Sequence, residues 1–215
     1  MDNTTIENLR NEYKAASLSE KEVTKEPIKQ FEKWFKQALD ANMLEPNAMT
    51  LATATTDGRP SARIVLLKGF DHNGFVFYTN YLSRKGKEMA KNPLVSLVFF
   101  WPELERQVRI EGTIEKVSRE TSEKYFLTRP KASQIGAIVS PQSQEITDRD
   151  LLEKKMADLE AVYADGDVPK PAHWGGYIVK PRMIEFWQGR RSRLHDRIVY
   201  KLADKNTWKI VRLAP

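Results

Sequence analysis

The sequence predicts a β-rich α+β fold, an antiparallel barrel with peripheral helices. Segments that alternate apolar and polar residues follow one another through most of the chain. Several are joined by short turn signals such as Asp57-Gly58 and Asp71-His72-Asn73-Gly74, which is how hairpin-linked strands read. Only a few segments carry a helical period. No glycine-rich phosphate loop follows a strand, so a doubly wound parallel sheet is not indicated, and any phosphate must be held mainly by side chains.

Residues 1–26 are polar with Leu9, Tyr13 and Leu18 as sparse apolar points, a short helix and a mobile linker. Pro27 suits the first turn of a helix, and Ile28, Phe31, Trp34, Phe35, Ala38 and Leu39 follow at helical spacing, as core packing does. Strands are expected at 48–56, 61–68 and 75–79, with His72 a turn residue without chemistry. Ser83 to Lys91 reads as a helix stopped by Asn92-Pro93. Leu94 to Trp101 is nearly all apolar, a strand expected to be buried on both faces. Arg106 to Val117 alternates again. Ser118 to Thr128 reads as a helix with Glu120 and Glu123 in its first turn, and Lys131 to Ile138 adds a turn or two. Thr147 to Ala164 is a helix, with Thr147 and Asp150 as a capping-box-like start and Gly166 as a stop. Beyond Pro169 and Pro171, strands are expected at 177–180, 183–187, 193–202 and 207–213. No linker is long enough to divide the rest, so 27–215 is expected as one domain after an N-terminal segment, 1–26.

The chain has 215 residues, 40% of them hydrophobic and 30% charged, enough for a medium domain with a core. It has no cysteine, which removes disulfides, thiolate catalysis and thiolate-held metals. Histidines at 72, 173 and 195 are too scattered to suggest a metal site. No signal-peptide pattern and no apolar run of bilayer-spanning length are present, so a cytoplasmic protein without a membrane partner is expected. A net charge of +6 suits nucleic acid or small phosphorylated ligands equally. No long Lys/Arg run, zinc-finger spacing or RNA-binding signature accompanies it, so nucleic acid is not the expected partner.

The densest chemistry lies in Ile184 to Arg197, Ile-Glu-Phe-Trp-Gln-Gly-Arg-Arg-Ser-Arg-Leu-His-Asp-Arg. Met183 to Trp187 is rich in β-formers, Gln188 and Gly189 break it, and Arg193 to Tyr200 alternates, a hairpin with a loop of several residues. Side chains two apart share a strand face. Arg193, His195 and Arg197 are therefore expected on one face, with Leu194 and Ile198 directed into the core. Two guanidiniums flanking an imidazole, with Trp187 across the hairpin, suit a flat anionic ligand. Solvated arginines and a hydrogen-bonded histidine explain the spacing as well. Residues 190–197 hold four Arg and one acid, so most of that charge lacks a local partner.

Three other groups carry candidate chemistry. Arg63 and Lys68 close the run Arg-Ile-Val-Leu-Leu-Lys; five apart, they fall on opposite faces of a regular strand and read by spacing alone as its polar ends. The strand 75–79 leads through a hydroxyl-rich turn into a helix that starts Ser83-Arg84-Lys85. Bases there oppose the helix dipole, whereas free N–H groups there attract anions, so the placement suggests a bound anion. Tyr125, Arg129 and Ser133 recur every four residues. On one helix they share a face, and phenol, guanidinium and hydroxyl together suit a phosphate, but Pro130 interrupts that helix.

Glu-Phe-Trp-Gln, four residues, then Arg-Leu-His-Asp-Arg fills every fixed position of the C-terminal signature of the pyridoxamine 5'-phosphate oxidases. Arg63 to Gly69, Phe77 to Lys85, Arg106 to Arg109, Tyr125 to Gly136, Gln142-Ser143, Trp174-Gly-Gly-Tyr and the terminal Arg-Leu-Ala-Pro resemble the same family in order. The resemblance implies an FMN-binding split barrel and an obligate homodimer with shared active sites. It implies oxidation of pyridoxamine or pyridoxine 5'-phosphate to pyridoxal 5'-phosphate, with O2 reoxidising the flavin and giving hydrogen peroxide. Arg63, Ile64, Val65, Leu66, Leu67, Lys68, Tyr78, Thr79, Arg84, Lys85 and Gln107 would hold FMN, while Gln142, Ser143, Trp187 and Arg197 would reach it from the other subunit. Lys68, Tyr125, Arg129 and Ser133 would hold the substrate phosphate. Arg193 and His195, the catalytic pair it implies, would face the substrate ring with Leu194 between them, and Arg10 and Tyr13 would belong to a lid. No metal is implied. Glu45 is given no role. Two other readings stand beside this one. A split-barrel flavin protein that does not oxidise these phosphates is opposed by the intact Arg-Leu-His-Asp-Arg; the other is a basic nucleic-acid-binding protein.

Overall fold

A computed structural model of the chain describes residues 7–8, 12–204 and 207–215. Among these, the elements run α1 (Pro27–Asp40), β1 (Ala48–Ala54), β2 (Pro60–Leu66), β3 (Gly69–Asp71), β4 (Gly74–Asn80), α2 (Arg84–Lys91), β5 (Leu94–Trp101) and β6 (Arg106–Lys116). They continue with α3 (Arg119–Leu127), α4 (Lys131–Val139), α5 (Asp150–Val162), β7 (Trp174–Gln188), β8 (Asp196–Leu202) and β9 (Trp208–Leu213). The strands bond in the order β2-β1-β5-β6-β7-β4-β3, and β8 pairs with both β7 and β9. The β3–β4, β4–β7, β7–β8 and β8–β9 pairings are antiparallel. Among the described residues no helix is long and apolar enough to cross a membrane.

The chain divides into two compact units. The first holds Met1–Thr50, Leu97–Glu111 and Pro181–Pro215, the second Leu51–Ser96 and Gly112–Lys180. In the first, Pro27 opens α1 at a position whose N–H has no intrahelical partner in any case. Its buried stripe is Phe31, Trp34 and Ala38. Phe31 meets Phe99 at 5.1 Å, and Trp34 meets Phe186 edge-on at 5.2 Å. Full burial of such a ring is worth about 1.5–3 kcal/mol. Residues 12–26 form no long element but are tied down. Leu18 N donates to Asp196 Oδ2 at 3.0 Å, and the Tyr200 hydroxyl donates to Thr24 O at 2.6 Å.

In the second unit, Asn73 N donates to Asp71 Oδ1 at 2.7 Å and closes the β3–β4 hairpin, as an Asx turn does. Beyond it Phe75 and Phe77 are fully buried. The Ser83 hydroxyl caps α2 by accepting from Gly86 N, and Ser118 caps α3 by accepting from Thr121 N. A second cluster gathers Phe126, Ile135, Val168 and Trp174, with Tyr78, Tyr125 and Met156 against it.

Five sequence expectations change. The strands expected at 177–180 and 183–187 are one strand, β7, running through Pro181. Its β4 partners end at Val179 and its β8 partners begin at Met183, so the missing proline N–H costs a bond to neither. β5 is not buried on both faces: Val95, Leu97, Phe99 and Trp101 are buried, but Leu94 and Phe100 are 60% and 56% exposed. The apolar stripe of α1 is narrower than expected, leaving Leu39 51% exposed. α5 begins at Asp150 rather than Thr147, and Asp148 Oδ1, not Thr147, accepts from its first N–H. The strand expected from Arg193 starts only at Asp196, for a reason given below.

Gly74 carries φ +145°, and a Cβ there would stand 2.0 Å from Val179 O across the β4–β7 pairing. Gly74→Ala is therefore expected to cost roughly 1–3 kcal/mol, read as a lowered thermal midpoint. A midpoint equal to the parent's would show that the hairpin relaxes freely.

Candidate active site

In the second unit β2, β4, the α3–α4 junction and Gln142 line a cavity of about 940 Å³. That lies within the range of ligand pockets, roughly 300–1,000 Å³. Four cationic side chains reach it: Arg63, Lys68, Lys85 and Arg129. Arg63 and Lys68 share it because β2 ends at Leu66 and its regular alternation ends there too. Lys68 N then donates to Val76 O at 2.8 Å. The expected placement on opposite faces assumed a strand that does not continue.

Arg63 is held by its neighbours. Nη1 donates to Leu51 O at 3.0 Å and Thr53 Oγ1 at 2.6 Å, while Nη2 donates to Ser61 Oγ and lies 3.5 Å from Glu88 Oε2. Burial pushes its pKa down, opposed by Glu88. Glu88 is 6% exposed. It accepts from Thr53 and from Arg84 Nε, the latter at 2.8 Å. Burial works against its charge, but hydrogen bonds from Thr53 and Arg84 and the charges of Arg84 and Arg63 outweigh this and hold its pKa below the usual carboxylate value. Lys85 Nζ donates to Gln142 Oε1 at 2.8 Å, and Thr79 Oγ1 donates to the same oxygen at 3.2 Å. Burial, then the charge of Arg63, lowers the Lys85 pKa.

The other wall is aromatic. Tyr78 stacks on Tyr125 at 3.9 Å and on Trp174 at 5.4 Å. The Arg129 guanidinium lies 4.7 Å from the Trp174 ring centre. Its Nη1 is buried without a hydrogen-bond partner among the described residues, and burial holds its pKa below the usual guanidinium value. A buried donor left unmet is costly, so this atom marks a place for an acceptor. Tyr125, Arg129 and Ser133 do converge, though not on one helix: Pro130 separates α3 from α4, and Gln134 Nε2 donates to Arg129 O across the break at 2.9 Å.

The first unit holds a second cluster. Trp187 and His195 lie 4.6 Å apart, and Tyr13 meets both edge-on at 5.7 Å. Gly189 makes room for it, since a Cβ there would stand 2.7 Å from Tyr13 Cγ. Arg190 N donates to His195 Nδ1 at 3.1 Å, which puts the neutral imidazole proton on Nε2. Burial, then Arg193, lowers the His195 pKa and favours that neutral form.

Arg193 does not share a strand face with His195 and Arg197. Ser192 and Arg193 adopt φ of 56° and 60° within a tight 3-10 turn, and these left-handed residues end the alternation. Leu194 is 69% exposed rather than in the core, while Ile198 is fully buried as expected. Two of the arginines here are paired: Arg190 with Asp196, the one acid of the run, at 3.0 Å, and Arg197 with Glu185 of β7 at 2.8 Å.

Of the cofactor-site candidates, Ile64, Val65, Leu66, Tyr78, Thr79 and Gln142 also line the cavity. Leu67 instead points into the core. Arg84 and Ser143 line a separate hollow beside Lys87 and Lys91, Gln107 lies on β6, and Arg10 falls outside the described residues. Sequence reasoning gave no site role to Trp174, though it sits in a quoted motif, nor to the two buried acids Glu88 and Glu185.

Residues 35–163 match the model of the family described as pyridoxamine 5'-phosphate oxidase. The chain belongs to the pyridoxamine 5'-phosphate oxidase family. Residues 174–215 match the family's C-terminal dimerisation region, which supports a homodimer. Proteins named pyridoxine/pyridoxamine 5'-phosphate oxidase from Acaryochloris marina and Nostoc sp. are 56% and 57% identical, over 99% and 98% of this chain and 96% and 99% of theirs. A crystal structure of PhzG from Burkholderia lata, in complex with tetrahydrophenazine-1-carboxylic acid, is 32% identical with a TM-score of 0.89, over 95% of this chain and 100% of that one. An oxidase-related, FMN binding protein from Nostoc punctiforme, 16% identical over 86% of this chain and 97% of its own, shares the split-barrel fold with a TM-score of 0.70. The expected fold class is thereby borne out.

Glu88, which pairs with Arg63 behind the cavity, gives a pH test. Its folded pKa is depressed, so its stabilisation is full above the ordinary carboxylate value of 4.5 and is lost as pH falls through the lower folded value. Glu88→Gln is expected to melt below the parent near neutral pH and to converge with it in acid. A gap in thermal midpoint that stays constant on acidification would contradict an ionised Glu88.

Proposed function

We propose that the chain is an FMN-dependent oxidase that converts pyridoxamine and pyridoxine 5'-phosphate to pyridoxal 5'-phosphate, with O2 reduced to hydrogen peroxide. It works as a cytoplasmic homodimer with shared active sites. The observation that carries the phosphate part is Arg129, whose buried Nη1 lacks an acceptor in a cavity that Arg63, Lys68 and Lys85 also reach. A ligand with phosphate and flat rings fits both the cations and the aromatic wall.

On this reading Arg63, Ile64, Val65, Leu66 and Lys85 would hold FMN, with the two cations the groups suited to its phosphate. Lys68, Tyr125, Arg129 and Ser133 hold the substrate phosphate. FMN, when bound, supplies the two-electron acceptor that O2 regenerates. The aromatic wall keeps water from the substrate. His195, neutral with its proton on Nε2, donates a hydrogen bond to the substrate and positions it. Arg193 presents a planar guanidinium to the substrate ring. Trp187 and Arg197 complete the flavin site of the partner subunit. The non-oxidase and nucleic-acid readings are not favoured, since relatives 53–57% identical over nearly the whole chain carry the oxidase name.

Purified protein is expected to be yellow, and to release peroxide under air with pyridoxine 5'-phosphate. Colour without peroxide from either vitamer would return the non-oxidase reading. Arg129→Ala should raise KM for the phosphorylated substrate by roughly ten- to a hundredfold, the worth of one charge-assisted contact, and leave FMN content unchanged. Loss of FMN with KM intact would mean that the two phosphate groups have been exchanged. Arg193→Leu should load FMN normally yet turn over on the order of a hundredfold more slowly. Arg193→Lys should not restore the rate, because a point charge does not stack as a plane does, and His195→Asn should lose less. An Arg193→Leu enzyme with parental kcat/KM would remove Arg193 from the site.

A further inference from the structure

Glu185 is 2% exposed, and a lone carboxylate at such a position would be strongly disfavoured. It lies on β7, which has β6 on one side and β8 on the other. Arg109 of β6 and Arg197 of β8 both reach it. Arg197 Nε donates to Glu185 Oε1 at 2.8 Å and Arg197 Nη2 to Oε2 at 3.1 Å, a two-point fork. Arg109 Nη1 donates to the same Oε2 at 3.3 Å, and Arg109 Nη2 to Glu111 Oε1 at 2.8 Å. Arg197 Nη1 also donates to Ala214 O at 3.0 Å. Among the described residues, three of the five guanidinium N–H groups of Arg197 thus have acceptors and two have none. A fork–fork pair fixes the plane of a guanidinium as well as its position. The hydrogen bonds of Glu185, opposed by burial, raise the Arg197 pKa and keep the group charged.

We propose that Glu185 is the positioning residue for Arg197: it sets the guanidinium plane and aims the two remaining donors at FMN. This rests on the reading that Arg197 meets FMN. Arg109 and Glu111 complete a chain of four alternating charges across the sheet. That chain leaves Glu185 with a counter-ion even when Arg197 engages a ligand.

The test uses the full-length protein freed of flavin and titrated with FMN, followed by quenching of flavin fluorescence. Glu185→Gln keeps the volume and one acceptor but loses the fork. It is expected to weaken FMN binding roughly ten- to a hundredfold. In an Arg197→Lys background the same substitution should add less than about twofold, because the group it acts through is gone. Equal FMN affinity in Glu185→Gln and parent, with only the thermal midpoint lowered, would overturn the proposal and leave Glu185 a structural pair. So would full additivity of the two substitutions. If Glu185→Gln does not fold, Glu185→Asp keeps the charge but withdraws the carboxylate by one methylene, and must also weaken FMN binding. A parent protein that does not bind FMN would sink the cofactor reading itself, a result distinct from either of these.

Discussion

A guanidinium taken out of water needs an anion, an aromatic face or a ligand, and the candidate site is arranged around that need. Arg63 and Arg84 share buried Glu88, and Arg109 and Arg197 share buried Glu185. Arg129 has no acid. It rests on Trp174 and keeps a buried N–H unmet. The two classes suit different tasks. An arginine pinned by a carboxylate keeps its direction whether or not a ligand is present, as a resident cofactor requires. An arginine on a π face keeps its charge uncompensated, which on the proposed reading leaves Arg129 free for the substrate phosphate.

Breaks in regular structure place the rest. β2 stops at Leu66, and Lys68 falls beside the cavity. Pro130 divides two helices, and Tyr125, Arg129 and Ser133 meet around the break. Left-handed Ser192 and Arg193 stop the strand short of His195, whose Nδ1 is then taken by Arg190 N. In each case a regular element would have sent one of these side chains elsewhere. The segment carrying Tyr13 is held by the same economy: Asp196, two residues before buried Ile198, accepts from Leu18 N and from Arg212.

The sequence alone determined the fold class, the order of the elements and the family, because these rest on local quantities. Turn dipeptides and apolar period set which segments become strands and helices, and the string from Glu185 to Arg197 is specific enough to name a family. Contiguity also made most of the cavity wall legible, since Arg63 to Leu66, Tyr78-Thr79 and the Tyr125, Arg129, Ser133 series each lie in one short run. Tertiary structure alone decided which charges are paired and which faces are covered. Glu88 and Arg63 are twenty-five residues apart, and Arg109 and Glu185 seventy-six. Neither periodicity nor a motif reports such a meeting. The Arg-rich loop looked short of counter-ions because Glu185, the partner of Arg197, lies outside it, and β5 looked doubly buried because composition cannot say which face another element will cover. Whether a buried charge is tolerated depends on what the rest of the chain brings within hydrogen-bonding distance, and that distance exists only once the strands have been set side by side.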